Sequence, residues 1–452
     1  MSNETAVLDE LMEAQAQQAH SDLAILSGFP ESRGADLPAW FRDRQRDAWS
    51  RFESLPMPHR KQPEWRFANV DALDLAPYFT APAPDDNENR EILEQSDALS
   101  DVAGRLVFAD DHLLRRDPLS PELRALGVIL KPLERALIEH GDLFTKHFML
   151  QPTMLGSGKF AALHEAFVRA GTFLYVPRGV EVELPIEIFH WLAAANAAVF
   201  PHTLLIADEL SKVTVVEHFR SLHPDHPGFA CGVNDLVVGR GAKVTYVCEQ
   251  NWSERVLNIQ LNATSVDRDA SATSLNVHLG GAYSRFESLS RLIGEGARSD
   301  LLAISHANGR QEFDARTLQD HRSPHTASDL LYKNALSDRA RSIFGGLIRV
   351  EPHAHFTDAY QTVRNLLLSD DAEANSMPGL EILADNVKCS HGATSGQIDE
   401  DQFFYLLARG ISAPAAKHLL VAGFLNEVLD RLNRPAVADH LRESIEAKFA
   451  AS

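Results

Sequence analysis

Four polar turns of one form punctuate the second half of this chain, and they limit what it can fold into. They are Gly239-Arg240-Gly241-Ala242-Lys243, Asp267-Arg268-Asp269-Ala270-Ser271, Gly294-Glu295-Gly296-Ala297-Arg298 and Ser337-Asp338-Arg339-Ala340-Arg341. Their alanines stand 28, 27 and 43 residues apart. Between the turns run short segments with strand character, among them Thr172–Val176, Val180–Phe189, Lys212–Phe219, Lys243–Cys248, Ser284–Leu292, Ser342–Val350 and Gln361–Leu368. The first two intervals predict a solenoid in which each coil lays its strands on the coil before, and the third predicts an insertion. A β-sandwich is the competing arrangement; a doubly wound sheet lacks its crossover helices here.

Helical periodicity flanks this β-rich stretch. Leu8, Leu11, Met12 and Ala16 form one apolar stripe, and Trp40, Phe41, Ala48, Trp49 and Phe52 a second. The acidic, proline-rich run from Ala81 to Glu91 reads as a surface loop. Helical patterns return at 121–150 and 159–170, and again after Gly396. There Asp399 is a predicted N-cap with Gln402 three residues on, Gly410 a stop, Ser412 the start of a second helix and Pro435 of a third. These helices either cap the solenoid or offer a face to another subunit. The expected division is therefore 1–170 mostly helical, 171–396 the β core and 397–452 helical.

The chain carries 43 Lys and Arg against 63 Asp and Glu, a net charge of −20. Such a surface repels phosphate backbones and anionic lipid, which argues against nucleic-acid and membrane partners. No apolar run approaches the ~18 residues of a membrane span. The polar, acidic start Met1-Ser2-Asn3-Glu4-Thr5 lacks the features of an export signal. Only Cys231, Cys248 and Cys389 occur, which fits a reducing compartment, so a cytoplasmic protein is expected.

Lys388-Cys389-Ser390-His391-Gly392 is the strongest chemical signal. On an extended segment, Cys389 and His391 share one face, a thiol and an imidazole suited to iron or another thiophilic metal. Two ligands are half a tetrahedral site, so the others would come from elsewhere, including a second chain. The alternative is a buried cysteine beside a hydrogen-bonded histidine. Weaker signals are His353-Ala354-His355 and the loop pair His223 and His226. Gly156-Ser157-Gly158-Lys159 fails as a phosphate loop, because Phe160 follows the lysine and Thr153 stands where the first glycine belongs. Cys231 and Cys248, with no further cysteine near either, are expected to fill the core.

Several segments resemble the SufB/SufD family of iron–sulfur cluster assembly proteins. They are Tyr360 to Ser369, Pro378 to Asp385, Val387 to Thr394, Phe404 to Gly410 and, near the N-terminus, Pro63-Glu64-Trp65-Arg66-Phe67. The similarity is dense over 330–430 and looser elsewhere. Within the family the SufD branch is the better match. The cluster-building cysteine of the SufB branch falls on Arg364, and the glutamate after its motif histidine falls on Gly392.

The resemblance implies a mainly β fold, a right-handed parallel β-helix flanked by N- and C-terminal helical regions. It implies a non-catalytic subunit of a SufB–SufC–SufD complex, supporting iron acquisition and cluster assembly at the SufB contact. Cys389 and His391 would be metal ligands there, for iron or a transient cluster shared with SufB and not held stably by this chain alone. The SufC ATPase would dock on the C-terminal helices, and packing through the β-helix end would allow a homodimer in the absence of SufB. The competing functions are a self-sufficient SufB-like scaffold, weakened by Arg364 and Gly392, and a carbohydrate-active β-helix enzyme, which would call for export.

Overall fold

The computed structural model describes residues 24–31 and 36–450. The expected helix through Leu8 to Ala16 lies outside the described residues. The chain is mainly β, 40% strand and 24% helix, and winds through about eight turns of a parallel solenoid. Each coil gives one strand to each of two sheets, so consecutive strands alternate between them. The first sheet runs from His112–Asp117 through Lys212–Ser221 and Lys243–Asn251 to Lys388–Gly396; the second runs from Ile129–Pro132 to Glu373–Ile382. Pairing is parallel except at the N-terminal end of each sheet, where Gly104–Ala109 pairs His112–Asp117 and Ile129–Pro132 pairs Thr172–Val176 antiparallel.

The register explains the turn spacing. In the first sheet Lys243 faces Ser271, which faces Arg298, then Ala327, Asp358 and Lys388, steps of 27–31 residues. Ala242, Ala270 and Ala297 stack on one edge of the solenoid, fully buried, where only a small side chain fits between coils. The 43-residue gap to Ala340 is not an insertion. The turn holding Ala340 enters the second sheet, so it lies on the opposite edge, one and a half coils on. Thr326 takes the next place in the first stack, and its hydroxyl lies 3.3 Å from that of Thr357.

The sheets begin upstream of the expected boundary at 171. Gly104–Ala109 already pairs with Ile186–Leu192 in parallel, so the stretch expected to be mostly helical also contributes strands. The expected helix over 121–150 is three short helices, Pro121–Ala125, Leu133–Glu139 and Gly141–His147, interrupted by the strand Ile129–Pro132. The acidic run is a loop only to Asp85. Asp85 caps a helix over Asp86–Glu94, accepting from the Asn87 and Glu88 amides while the Glu88 side chain accepts from the Asp85 N–H.

Helices cover the outer face of both sheets. Ala39–Ser54 and Gly158–Phe167 bury Trp49, Phe52, Phe160 and Phe167 against Phe229 and Ile259 of the second sheet and against Phe200 between two of its strands. Ala413–Leu429 and Pro435–Ala450 bury Val421, Leu425, Val428, Leu441 and Ile445 against Val216, Val247, Leu275 and Leu302 of the first. Glu400–Ala408, capped by Asp399 through the Gln402 amide at 2.8 Å, buries no residue. Among the described residues no helix is long and apolar enough to cross a membrane.

Candidate functional site

The last coil leaves the solenoid open. Lys388–Gly396 and Glu373–Ile382 are the edge strands of the two sheets, and among the described residues each lacks a neighbour on its outer side. Pro378 in the middle of one of them is tolerated because an edge strand need not pair on both sides. Leu380 and Ile382 continue the columns of Ile348 and Val350, which are fully buried one coil earlier. With no further coil above them, these interior-facing side chains are 37% and 39% exposed. Tyr360, Phe356 and Leu383 are exposed nearby, and Phe404 and Tyr405 project from the uncovered helix. An unpaired edge carrying uncovered core side chains is the signature of an interface.

Cys389 and His391 lie on this edge. Register places Cys389 beside Ala359 and His391 beside Gln361, both buried interior residues. The two side chains therefore share the interior face of the terminal strand, Cα atoms about 7 Å apart. Cys389 packs on Ile348, Val350, Ala354 and Ala359. Burial, followed by the Asp358 carboxylate, pushes its thiol above the ordinary range, against the Ala359 amide contact that favours the thiolate. A cation or metal would be needed to generate the thiolate. His391 is exposed and has no hydrogen-bond partner among the described residues. No third His, Cys, Asp or Glu ligand atom among those residues converges with this pair.

The other sequence-predicted positions separate from it. Arg364 points to the outer face of the first sheet, where it meets Glu427 at 3.4 Å beside Lys333. It registers with Thr394, five residues along the strand from the Cys389 level, about 16 Å away and on the opposite face. A Cβ at Gly392 would meet nothing within 4 Å. The turn at His353 to His355 lies one coil below: His355 Nδ1 is 3.1 Å from the Asp385 carbonyl, and Ala354 shares the apolar cluster of Cys389. The rings of His223 and His226 meet at a tilt, centroids 4.4 Å apart, with His226 Nδ1 3.0 Å from the Ala193 carbonyl. Lys159 donates to the Phe52 and Leu55 carbonyls at 2.6 Å, a structural role. Cys231 and Cys248 are fully buried, and burial pushes both thiols far up.

Sequence reasoning found the Pro63–Phe67 motif without its role. Trp65 is buried, donating from its indole to the Gly156 carbonyl at 2.9 Å, and the Arg285 guanidinium lies 3.8 Å from its ring centre. Arg285 is itself fully buried on the second sheet. It donates to Asp314 at 2.5 Å, to Glu287 at 2.9 Å and to the Glu64 and Leu155 carbonyls at 3.1 and 2.7 Å. Arg316 reaches the Arg66 carbonyl at 2.9 Å. The motif is thus the seat of the N-terminal region on the solenoid.

The structure is thus a two-sheet parallel solenoid with helices at both ends, a thiol and an imidazole on its last strand. Residues 190–424 match the SufBD core domain of the SUF system for FeS cluster assembly, and residues 35–188 match the SufBD protein N-terminal region. The chain is 31% identical to the iron–sulfur cluster assembly protein SufD of Bacillus subtilis over 437 residues, spanning 94% of this chain and 98% of that protein. It is 27% identical to SufB of the same organism, over 87% and 86% of the two chains. A SufBD family protein of Synechocystis is 26% identical over 95% and 94%. This chain belongs to the SufB/SufD family of iron–sulfur cluster assembly proteins.

Proposed function

We propose that this chain is the non-catalytic, SufD-like subunit of a SUF assembly complex, and that its open solenoid end docks on a SufB-type chain. The observation that carries the reading is the last coil, which presents Cys389 and His391 among uncovered interior residues with no further ligand of its own. Strand-to-strand addition across the open edges would continue both sheets into the partner and bury Leu380 and Ile382. It would also bring the partner's thiolates and carboxylates to the Cys389–His391 pair, completing a site for iron or a nascent cluster as cargo. The exposed helix Glu400–Ala408, with Phe404 and Tyr405 outward, suits docking of the SufC ATPase, whose movements would open and close the end site. Arg364 on the outer face, tied to Glu427, supports this reading over a self-sufficient scaffold.

The test is anaerobic reconstitution of the co-purified complex with iron and sulfide. Cys389→Ala and His391→Ala are each expected to lower cluster yield at least about tenfold while leaving the complex assembled. Full cluster yield in both variants would show that the pair is only structural.

A further inference from the structure

A second group of ligands lies on the outer face of the first sheet, under the last helix, and the family reading does not use it. His218 on Lys212–Ser221 and Glu249 on Lys243–Asn251 are register neighbours. His440 descends on them from the helix Pro435–Ala450. We propose that His218, Glu249 and His440 form a binding site for a divalent transition metal that clips the C-terminal helix to the solenoid.

The geometry carries this in four ways. The three ligand atoms lie within 4.8 Å of one another, so each is at most about 2.8 Å from a common centre, and shifts of about 0.7 Å reach bonding distance. Three donors crowd one oxygen: Glu249 Oε2 meets His218 Nδ1, His440 Nε2 at 3.1 Å and Arg220 at 3.3 Å. The other oxygen, Oε1, is buried without a hydrogen-bond partner among the described residues, which a metal would satisfy. The far nitrogen of His218, Nε2, lies 3.2 Å from Glu187. Glu187 is in turn fixed by Arg105 at 2.6 Å and by the Leu99 amide at 3.0 Å. A carboxylate behind a ligating imidazole is the arrangement that orients metal-binding histidines.

Two imidazoles and one carboxylate suit zinc, ferrous iron or cobalt(II) over calcium or magnesium. Binding through His218 Nδ1 and His440 Nε2 needs both nitrogens free of protons, so uptake releases any proton they carry. Arg220 must swing aside, and it lines a groove with Gln95, Ser444 and Lys448 that gives it room. The site is five strands from the terminal strand, about 24 Å, so it is separate from Cys389 and His391.

The experiment uses the full chain without a histidine tag, stripped by chelator and titrated with cobalt(II) and zinc(II) under anaerobic conditions. One equivalent is expected to bind, with the visible cobalt spectrum of a nitrogen- and oxygen-ligated ion and slowed amide exchange in 435–450. His440→Ala, at a part-exposed position that preserves folding, is expected to weaken binding at least about tenfold. The Cys389→Ala/His391→Ala double variant should retain it. Absence of the cobalt spectrum in the parent chain, or equal affinity in His440→Ala, would leave an ion-pair network only and overturn the proposal.

Discussion

Replacing Arg285 with Met should release the N-terminal region from the solenoid while leaving the coils wound. The side chain is fully buried and serves Asp314, Glu287, Ser157 and two backbone carbonyls, with Trp65 on its face. Met fills a similar volume, so the loss is electrostatic and not a cavity. Removing one member of a buried ion pair costs about 3–5 kcal/mol. Asp314 keeps Arg316 at 2.6 Å and Glu287 keeps Ser157 at 2.5 Å, which holds the ion-pair loss near the lower figure. Orphaning the Glu64 and Leu155 carbonyls adds roughly 1–3 kcal/mol each where water cannot reach them. A total of at least about 5 kcal/mol is expected, borne by the contact between the two regions. Amide exchange by mass spectrometry is the assay, because a multi-region chain need not unfold in one step. Exchange should rise over 63–68 and 153–158, with strands 271–278 and 298–307 unchanged. Adding Glu287→Gln, which removes the carboxylate left without its arginine, should restore part of the protection. A loss below about 1 kcal/mol, or an equal rise throughout the solenoid, would refute the reasoning.

Burial holds the imidazole of His164 down to about 4, that of His321 to about 4 and that of His278 to about 3. Their folded values lie below the unfolded one near 6.5, so the stability they carry is complete above that pH and lost as pH falls toward 4, up to roughly 3 kcal/mol for each such shift. Urea midpoints at pH 7, 5.5 and 4.5 should fall steeply, and His278→Asn should flatten the slope by about one proton; an unchanged slope would contradict this. Leu380→Asp with Ile382→Asp should leave the isolated chain folded and weaken its association with a SufB-type partner at least about tenfold, some 1.4 kcal/mol, by native mass spectrometry. Arg364→Cys should not confer iron binding on the isolated chain, because that position faces the outer side of the sheet; a stoichiometric gain of iron in anaerobic titration would show otherwise.

The strands that sequence reading passed over share one cause. Glu312–His321 carries Asp314, Arg316, Gln319, Asp320 and His321, all buried, and Ala327–Leu336 carries Lys333 and Asn334. Alternation of apolar and polar residues is a strand signal only where one face meets water. Here one face meets the solenoid interior and the other meets helices, and both accept polar side chains paired across coils. Asn334 donates to Asn365 one coil on at 2.8 Å, and Gln319 to Ser328 across the interior at 2.7 Å. The helix after Asp85 was legible through Asp85 and Glu88, but the prolines before it mask the signal. The 43-residue interval misled because sequence spacing counts residues and not the edge on which a turn falls.

The sequence by itself determined the repeat, the C-terminal helices and the placing of Cys389 and His391 two residues apart, because stacking period, amphipathic stripes and residue spacing are local properties. Its motifs also carried the family resemblance. Only the tertiary structure decided that this pair faces the interior at an open end, that Arg364 lies on the other face, and that His218, Glu249 and His440 meet. Those are long-range facts: a solenoid brings residues together once per coil and through the helix that returns over it, and spacing along the chain gives no measure of either.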